Sequence, residues 1–316
     1  MKILANDGIS EKGKQLLTDN GFEVITTKVA QNQLANFINE QKIGVLLVRS
    51  ATTARRDLID ACPSLKLIGR GGVGMDNIDV DYALKKGIHV INTPYSAANS
   101  VAELVFAHLL SGIRFLHDAN RNMPLQGDAD FEILKKSYSQ GSELRGKTLG
   151  IIGLGRIGQS VARMAIGLGM RVIAHDPAVQ QTTIEIPFFD GRKLDFLIET
   201  TDKQTVLETS DFITLHVPFQ QEYIIDEVDF EIMKDGVGII NIARGGVINE
   251  SALLEALDNE KVSFAGLDVY ENEPTPAIRT LMHPKVSLTP HIGASTSESQ
   301  NRIGEELATQ IISLLK

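Results

Sequence analysis

The chain has 316 residues, 43% of them hydrophobic and 22% charged, with 31 Lys and Arg against 40 Asp and Glu for a net charge of −9. This length and composition suit two globular domains with a sizeable core each, and the acidic balance argues against nucleic-acid or membrane-surface partners. A single cysteine, Cys62, excludes an intrachain disulfide. No run approaches the ~18 apolar residues of a membrane span, and the first residues lack a signal peptide's apolar stretch, so the cytoplasm is the expected compartment.

Short apolar runs alternate with helical patterns from the first residues: Ile3 to Ala5, Phe22 to Ile25, Val45 to Val48, Leu67 to Ile68 and His89 to Ile91. Such alternation signals crossover units and a parallel sheet. Next, Val101, Leu104, Val105, His108, Leu109, Gly112, Ile113 and Leu116 fall at helical spacing, with Ser100 and Glu103 as a capping box. His108 and His117, on or beside that helix, read as packed or solvated histidines. A polar segment, Arg121 to Arg145, leads on to a second apolar series.

That series opens with Leu149 to Ile152 and a turn, Gly153-Leu154-Gly155-Arg156-Ile157-Gly158. With 27 glycines in the chain, the bare spacing has roughly 0.2 chance occurrences, so context has to decide. The turn follows a strand-like run and opens a helix-like stretch, Gln159 to Gly169. A second run, Arg171 to Ala174, then leads to Asp176, close to the distance at which a carboxylate meets the ribose hydroxyls of a dinucleotide. The helix N-terminus offers N–H groups to the pyrophosphate, and an acid at 176 predicts NAD rather than NADP because it would repel a 2′-phosphate.

Further strands are expected at Phe212 to Leu215, Val237 to Ile242, Phe264 to Leu267 and Val286 to Leu288, and an amphipathic helix through Ile303, Leu307, Ile311, Leu314 and Leu315. That helix needs an apolar surface, which the first domain can provide. The expected fold is α/β, with two doubly wound parallel-sheet domains of Rossmann or flavodoxin type separated by a cleft. Residues 1–98 with 291–316 would form the substrate domain and 99–290 the NAD domain. The stretch from Pro187 to Glu199 is richer in Phe and charge than a simple connection requires.

Three segments beyond strand ends carry chemistry-bearing side chains: Ala243-Arg244-Gly245-Gly246, Tyr270-Glu271-Asn272-Glu273-Pro274 and Pro290-His291-Ile292-Gly293-Ala294-Ser295-Thr296. Open parallel sheets bind ligands at that edge. Together with Val48-Arg49-Ser50-Ala51-Thr52 and Gly69-Arg70-Gly71-Gly72-Val73-Gly74-Met75-Asp76-Asn77, these segments closely resemble the D-2-hydroxyacid dehydrogenases, from about Val45 to about Leu307. The family's arginine, glutamate and histidine are matched by Arg244, Glu273 and His291. Oxidising a secondary alcohol needs a base near the hydroxyl, a role that suits His291. Glu273 would fix the ring's tautomer and favour its protonation, and Arg244 would grip the substrate carboxylate as a planar, always-charged fork.

The resemblance further implies a carboxylate cradle from the backbone of Val73 and Gly74, and Asp268 facing the nicotinamide carboxamide. His216, Val217 and Pro218 would border the adenosine, and Ala243, Gly293 and Ala294 would join the cofactor contacts. After Pro218 the chain reads Phe219-Gln220-Gln221-Glu222-Tyr223, where the family often has threonine, so side-chain contacts to the cofactor differ there. No metal is expected. Within the family the run Gly293-Ala294-Ser295-Thr296, with Arg49 and Arg70 as cationic hosts for a phosphate, points to the branch that oxidises D-3-phosphoglycerate to 3-phosphohydroxypyruvate for serine synthesis, in a short form without a regulatory domain. Lys135 and Lys136 are further candidates for the phosphate. Rival readings are a hydroxypyruvate, glyoxylate or other D-2-hydroxyacid reductase and, remotely, an NADH-sensing corepressor. A homodimer is expected from the resemblance alone.

Overall fold

The computed structural model describes residues 1–316, which separate into two compact units, Met1–Ser100 with Ala294–Lys316, and Val101–Gly293. The first unit begins with β1 (Lys2–Ala5), α1 (Glu11–Asp19), β2 (Glu23–Ile25), α2 (Leu34–Gln41), β3 (Ile43–Val48), α3 (Arg56–Ala61), β4 (Leu67–Arg70), α4 (Val80–Lys85) and β5 (His89–Asn92). All five strands are parallel, in the order β2-β1-β3-β4-β5. Every residue of β3 is buried, as expected of a parallel strand covered on both faces. Leu46 and Val48 enter one core with Ile38 and Leu58, while Val45 and Leu47 enter another.

The second unit holds most of α5 (Ala98–Ile113), then α6 (Leu116–Gln126), α7 (Phe131–Ser137), β6 (Thr148–Ile152), α8 (Arg156–Gly167) and β7 (Arg171–His175). There follow β8 (Gln181–Pro187), β9 (Lys193–Glu199), α9 (Lys203–Thr209), β10 (Phe212–Leu215), α10 (Glu227–Ile232), β11 (Val237–Asn241), α11 (Glu250–Asp258), β12 (Val262–Leu267), α12 (Ile278–Met282) and β13 (Val286–Leu288). Its parallel sheet runs β13-β12-β11-β10-β6-β7. Chain order therefore reverses between β6 and β10, and the crevice outside the carboxyl ends of two such strands is where open α/β sheets receive ligands. A lone parallel bridge from Ala174 to Thr200 stands where a further strand beside β7 would lie.

Two local expectations need correcting, and two stretches left without assigned elements contain regular structure. The long helix starts at Ala98, so Ser100 lies inside it rather than at its cap, and its buried hydroxyl donates to Thr296 Oγ1 at 3.1 Å. That helix ends before Phe115, which adopts a left-handed φ of 54°, so Leu116 opens a separate helix. The polar segment is no plain connection. It contains the rest of α6 and all of α7, joined where Tyr138 donates to Asp118 at 2.8 Å and accepts from Asn122 at 2.9 Å. The Phe-rich stretch is half of an antiparallel hairpin, β8 and β9, with Ile184 opposite Phe196 and Ile186 opposite Leu194. Ile184 and Ile198 are buried while Phe189 at the tip is fully exposed, which accounts for the mixture of aromatic and charged residues.

The last helix, α13 (Ser297–Leu315), belongs to the first unit, capped by the Thr296 hydroxyl accepting from Ser299 N at 3.2 Å. Its Ile303, Leu307 and Ile311 complete the core that Val45 and Leu47 enter. It crosses α1 closely enough that a Cβ on Gly13 would run 2.6 Å from the main chain of Gly304.

Candidate active site

The turn after β6 is shaped by its glycines. Gly153 has a φ of +97°, and a side chain there would meet the main chain of His216; one on Gly158 would meet the Gly153 carbonyl. Gly155, by contrast, faces open space and caps α8 without any side-chain hydrogen bond. The first N–H groups of a helix have no partner within it, so Arg156, Ile157 and Gly158 begin an uncapped, 12-residue helix suited to an anion. At the end of β7 the Asp176 carboxylate accepts from Leu154 N at 2.7 Å and from Ala178 N at 2.8 Å, which fixes it beside the turn. An open glycine cradle, a bare helix start and a held carboxylate fit a dinucleotide.

His216 lies on the other side of the strand-order reversal. Its Nε2 is 3.1 Å from Thr214 Oγ1, and its buried Nδ1 has no protein partner. Burial pushes its pKa down to about 3, so the ring is neutral near pH 7. Val217 packs partly against the unit's core, and Pro218 is exposed.

Arg244, Glu273 and His291 all stand beyond strand ends of the same sheet, after β11, β12 and β13. His291 Nδ1 lies 2.8 Å from Glu273 Oε2. An ionised carboxylate only accepts, so Nδ1 carries the hydrogen and donates, leaving Nε2 for other chemistry. Glu273 Oε1 accepts from Tyr270 N at 3.0 Å. Burial pushes the Glu273 carboxyl up, but the His291 bond and charge, the Tyr270 N–H and the Arg244 guanidinium together hold it below its ordinary value. Arg244 is braced by its own segment, since Nη1 donates to the Ala243 carbonyl at 2.6 Å and Asn241 donates to the Arg244 carbonyl at 2.9 Å.

His291 itself has a φ of 56°, a region that an L residue with a side chain enters at a cost of about 1–2 kcal/mol. Asp268, 1% exposed, explains how the turn is held. Its carbonyl accepts from His291 N at 2.8 Å. One carboxylate oxygen accepts from Ile292 N at 2.8 Å and Thr289 Oγ1 at 2.6 Å, and the other from Gly293 N at 2.8 Å. Thr289 is a supporting residue that the sequence reading missed. Its partners lie 21 and 181 residues away along the chain, so no local pattern marks it.

Of the remaining candidates, Arg49, Arg70, Val73, Gly74 and Ala294 belong to the first unit, and Lys135 and Lys136 to the second. Val48 pairs with Arg70 across β3 and β4, so Arg49 and Arg70 stand at the carboxyl ends of adjacent strands. Arg49 N donates to Asp7 Oδ2 at 2.7 Å. The Val73 carbonyl accepts from Asn92 at 2.6 Å, Gly74 is half-buried beside it, and the Ala294 carbonyl accepts from Gln300 at 2.7 Å. Lys135 and Lys136 sit exposed on α7, where Lys135 pairs with Glu132 at 3.5 Å.

Comparison with known proteins identifies the family. The NAD binding domain of D-isomer specific 2-hydroxyacid dehydrogenases matches residues 106–293. A hydroxypyruvate reductase of Thermotoga maritima is 43% identical, over 98% of this chain and 97% of its own length. A D-3-phosphoglycerate dehydrogenase of Archaeoglobus fulgidus is 40% identical over 100% of this chain, which spans 58% of that longer protein. Among solved structures, a glyoxylate reductase from Paecilomyes thermophila superposes with a TM-score of 0.81 at 29% identity, covering 99% of this chain and 95% of its own. No helix is long and apolar enough to cross a membrane. With a dinucleotide turn, an Arg, Glu and His set at one sheet edge and this matched extent, the chain belongs to the D-2-hydroxyacid dehydrogenases, oxidoreductases that use NAD.

Proposed function

We propose that the chain oxidises D-3-phosphoglycerate to 3-phosphohydroxypyruvate. The observation that carries this reading is the pair Arg49 and Arg70 at neighbouring strand ends of the first unit, since a phosphate entering a protein of net charge −9 needs cationic hosts. NAD, held by the Gly153 to Gly158 turn and Asp176, would supply the acceptor for the hydride that leaves C2. The chain's own residues do the rest. His291 Nε2 takes the hydroxyl proton, and Glu273 keeps Nδ1 protonated and the ring oriented. Arg244 holds the carboxylate and polarises the C2 oxygen. In reduction the same imidazole returns the proton. Asp268, His216, Val217, Pro218, Ala243, Gly293 and Ala294 line the cofactor's path in this reading. The product is a precursor for serine, and a cytoplasmic homodimer is the form we expect.

A second reading, reduction of unphosphorylated hydroxypyruvate or glyoxylate, is favoured by the 97% length match to the Thermotoga reductase. Initial rates separate the two: NAD with 3-phosphoglycerate, and NADH with 3-phosphohydroxypyruvate, hydroxypyruvate and glyoxylate. We expect kcat/KM to favour the phosphorylated acid by about a hundredfold, the scale of one or two charge-assisted contacts. Arg49→Ala should raise KM for 3-phosphoglycerate more than for an unphosphorylated acid. Equal losses on both would remove the phosphate assignment.

A further inference from the structure

We propose that His108, on α5, is a positioning residue for His291: through Thr289 it holds the Asp268 carboxylate around which the His291 turn is wound. The inference rests on His291 being the proton-transferring group. The directions of the hydrogen bonds follow from chemistry alone. Asp268 Oδ1 can only accept, so the Thr289 hydroxyl hydrogen points to it across 2.6 Å. That hydroxyl must then accept from His108 Nε2 at 2.9 Å, which places the ring hydrogen on Nε2. His108 Nδ1 is left as an acceptor and takes the Ser287 hydroxyl hydrogen at 2.9 Å. The result is a one-way chain from Ser287 through His108 and Thr289 to Asp268. It ends at the carboxylate that also accepts from Ile292 N and Gly293 N, while the Asp268 carbonyl accepts from His291 N.

Two further features support an organised relay. His108 and Asp268 are 3% and 1% exposed, so water cannot substitute for a missing partner at little cost. His108 also packs directly on β12, where a Cβ on Gly266 would lie 2.6 Å from its own Cβ, so a bare backbone at 266 is what admits the ring. The charged or titratable groups that act on His108 are Asp268 and His117; burial outweighs both and pushes its pKa down to about 4. The ring is thus neutral near pH 7, the form this hydrogen-bond direction requires. Tyr270, whose hydroxyl lies 2.9 Å from the Thr289 carbonyl and 3.2 Å from that of Leu267, steadies the same residue from its main chain.

The test compares His108→Phe, which removes the donor, His108→Gln, whose amide can still donate to Thr289, and Thr289→Val. Two readouts are used. One is amide hydrogen exchange of the 288–293 segment without substrate. The other is steady-state kinetics on whichever of 3-phosphohydroxypyruvate, hydroxypyruvate and glyoxylate the native protein reduces fastest with NADH. In H108F and T289V, exchange of that segment should quicken at least tenfold while the β6 and β10 segments keep native rates. Their kcat should fall about tenfold or more with the NADH dissociation constant within twofold of native, H108Q should recover most of the loss, and the double variant should be no worse than T289V. Native exchange in the 288–293 segment of both H108F and T289V would overturn the proposal, as would additive losses in the double variant. Should H108F fail to fold, T289V and H108Q decide the matter alone. Quickened exchange with unchanged kcat would instead count against His291 as the proton-transferring group, which separates failure of that reading from failure of this one.

Discussion

Gly245→Ala tests whether the Arg244 and Glu273 segments depend on each other's position. A Cβ at 245 would be driven into the Tyr270 carbonyl and would stand 3.0 Å from Glu271 N. Both obstacles are main chain, so no rotamer change relieves them. Tyr270 resists displacement, because its N–H is bound to Glu273 and its hydroxyl to buried carbonyls. The two segments would have to part by about 1 Å, and a displacement of that size at a reacting centre costs on the order of 10²-fold in rate. Overpacking should add about 1–3 kcal/mol of destabilisation. The assay is kcat for reduction of the preferred 2-oxo acid, beside a thermal melt and an NADH fluorescence titration. Gly246→Ala is the control. Gly246 has a φ of +77° with nothing within 4 Å of a built Cβ, so that variant should lose about 1–2 kcal/mol of stability and keep most of its kcat. A kcat for G245A within threefold of native, or equal kcat losses in both variants, would refute the reasoning.

Acid stability gives a second check. Burial holds His108 at about 4 and His216 at about 3, against 6.5 for a free histidine. Below pH 6.5 the unfolded chain binds protons that the folded protein refuses, so stability should fall as pH drops from 6.5 towards 4, by roughly 3 kcal/mol or more. Urea midpoints at pH 7.5, 6 and 5 measure this, and a midpoint that is flat or rises into acid would contradict it. The lowered carboxyl of Glu273 adds stability that persists above its ordinary pKa of 4.5 and is lost only at lower pH. Glu273→Gln keeps an acceptor for His291 Nδ1 but removes the charge; kcat should fall about tenfold or more while the NADH dissociation constant stays within twofold, the charge-assisted bond being roughly twice as strong as a neutral one. Loss of NADH binding instead would assign Glu273 to the cofactor.

Much of the fold is legible because parallel strands covered on both faces read as apolar runs, as at Ile43–Val48 and Val237–Asn241. The hairpin could have been found too, since Asp190-Gly191 between two alternating runs is a strong turn signal, and Gly191 does adopt a φ of +84°. What hid it is the pair Phe188 and Phe189, large apolar residues at a turn whose tip is exposed. The helix Leu116–Gln126 has no buried residue and carries Pro124 inside it, so neither an apolar stripe nor propensity marks it. At the site, Arg244, Glu273 and His291 stand in recognisable segments. The network that holds the His291 turn does not, because Thr289 links His108, 181 residues away, to Asp268.

The most direct test of the account is His291→Ala, assayed with NADH and the 2-oxo acid that the native protein reduces fastest, with NADH affinity measured by fluorescence on the same sample. Loss of the imidazole should lower kcat by about 10²–10⁴-fold, the usual contribution of a positioned acid or base, with the NADH dissociation constant within twofold of native. Native turnover in that variant would contradict the assignment of proton transfer to His291.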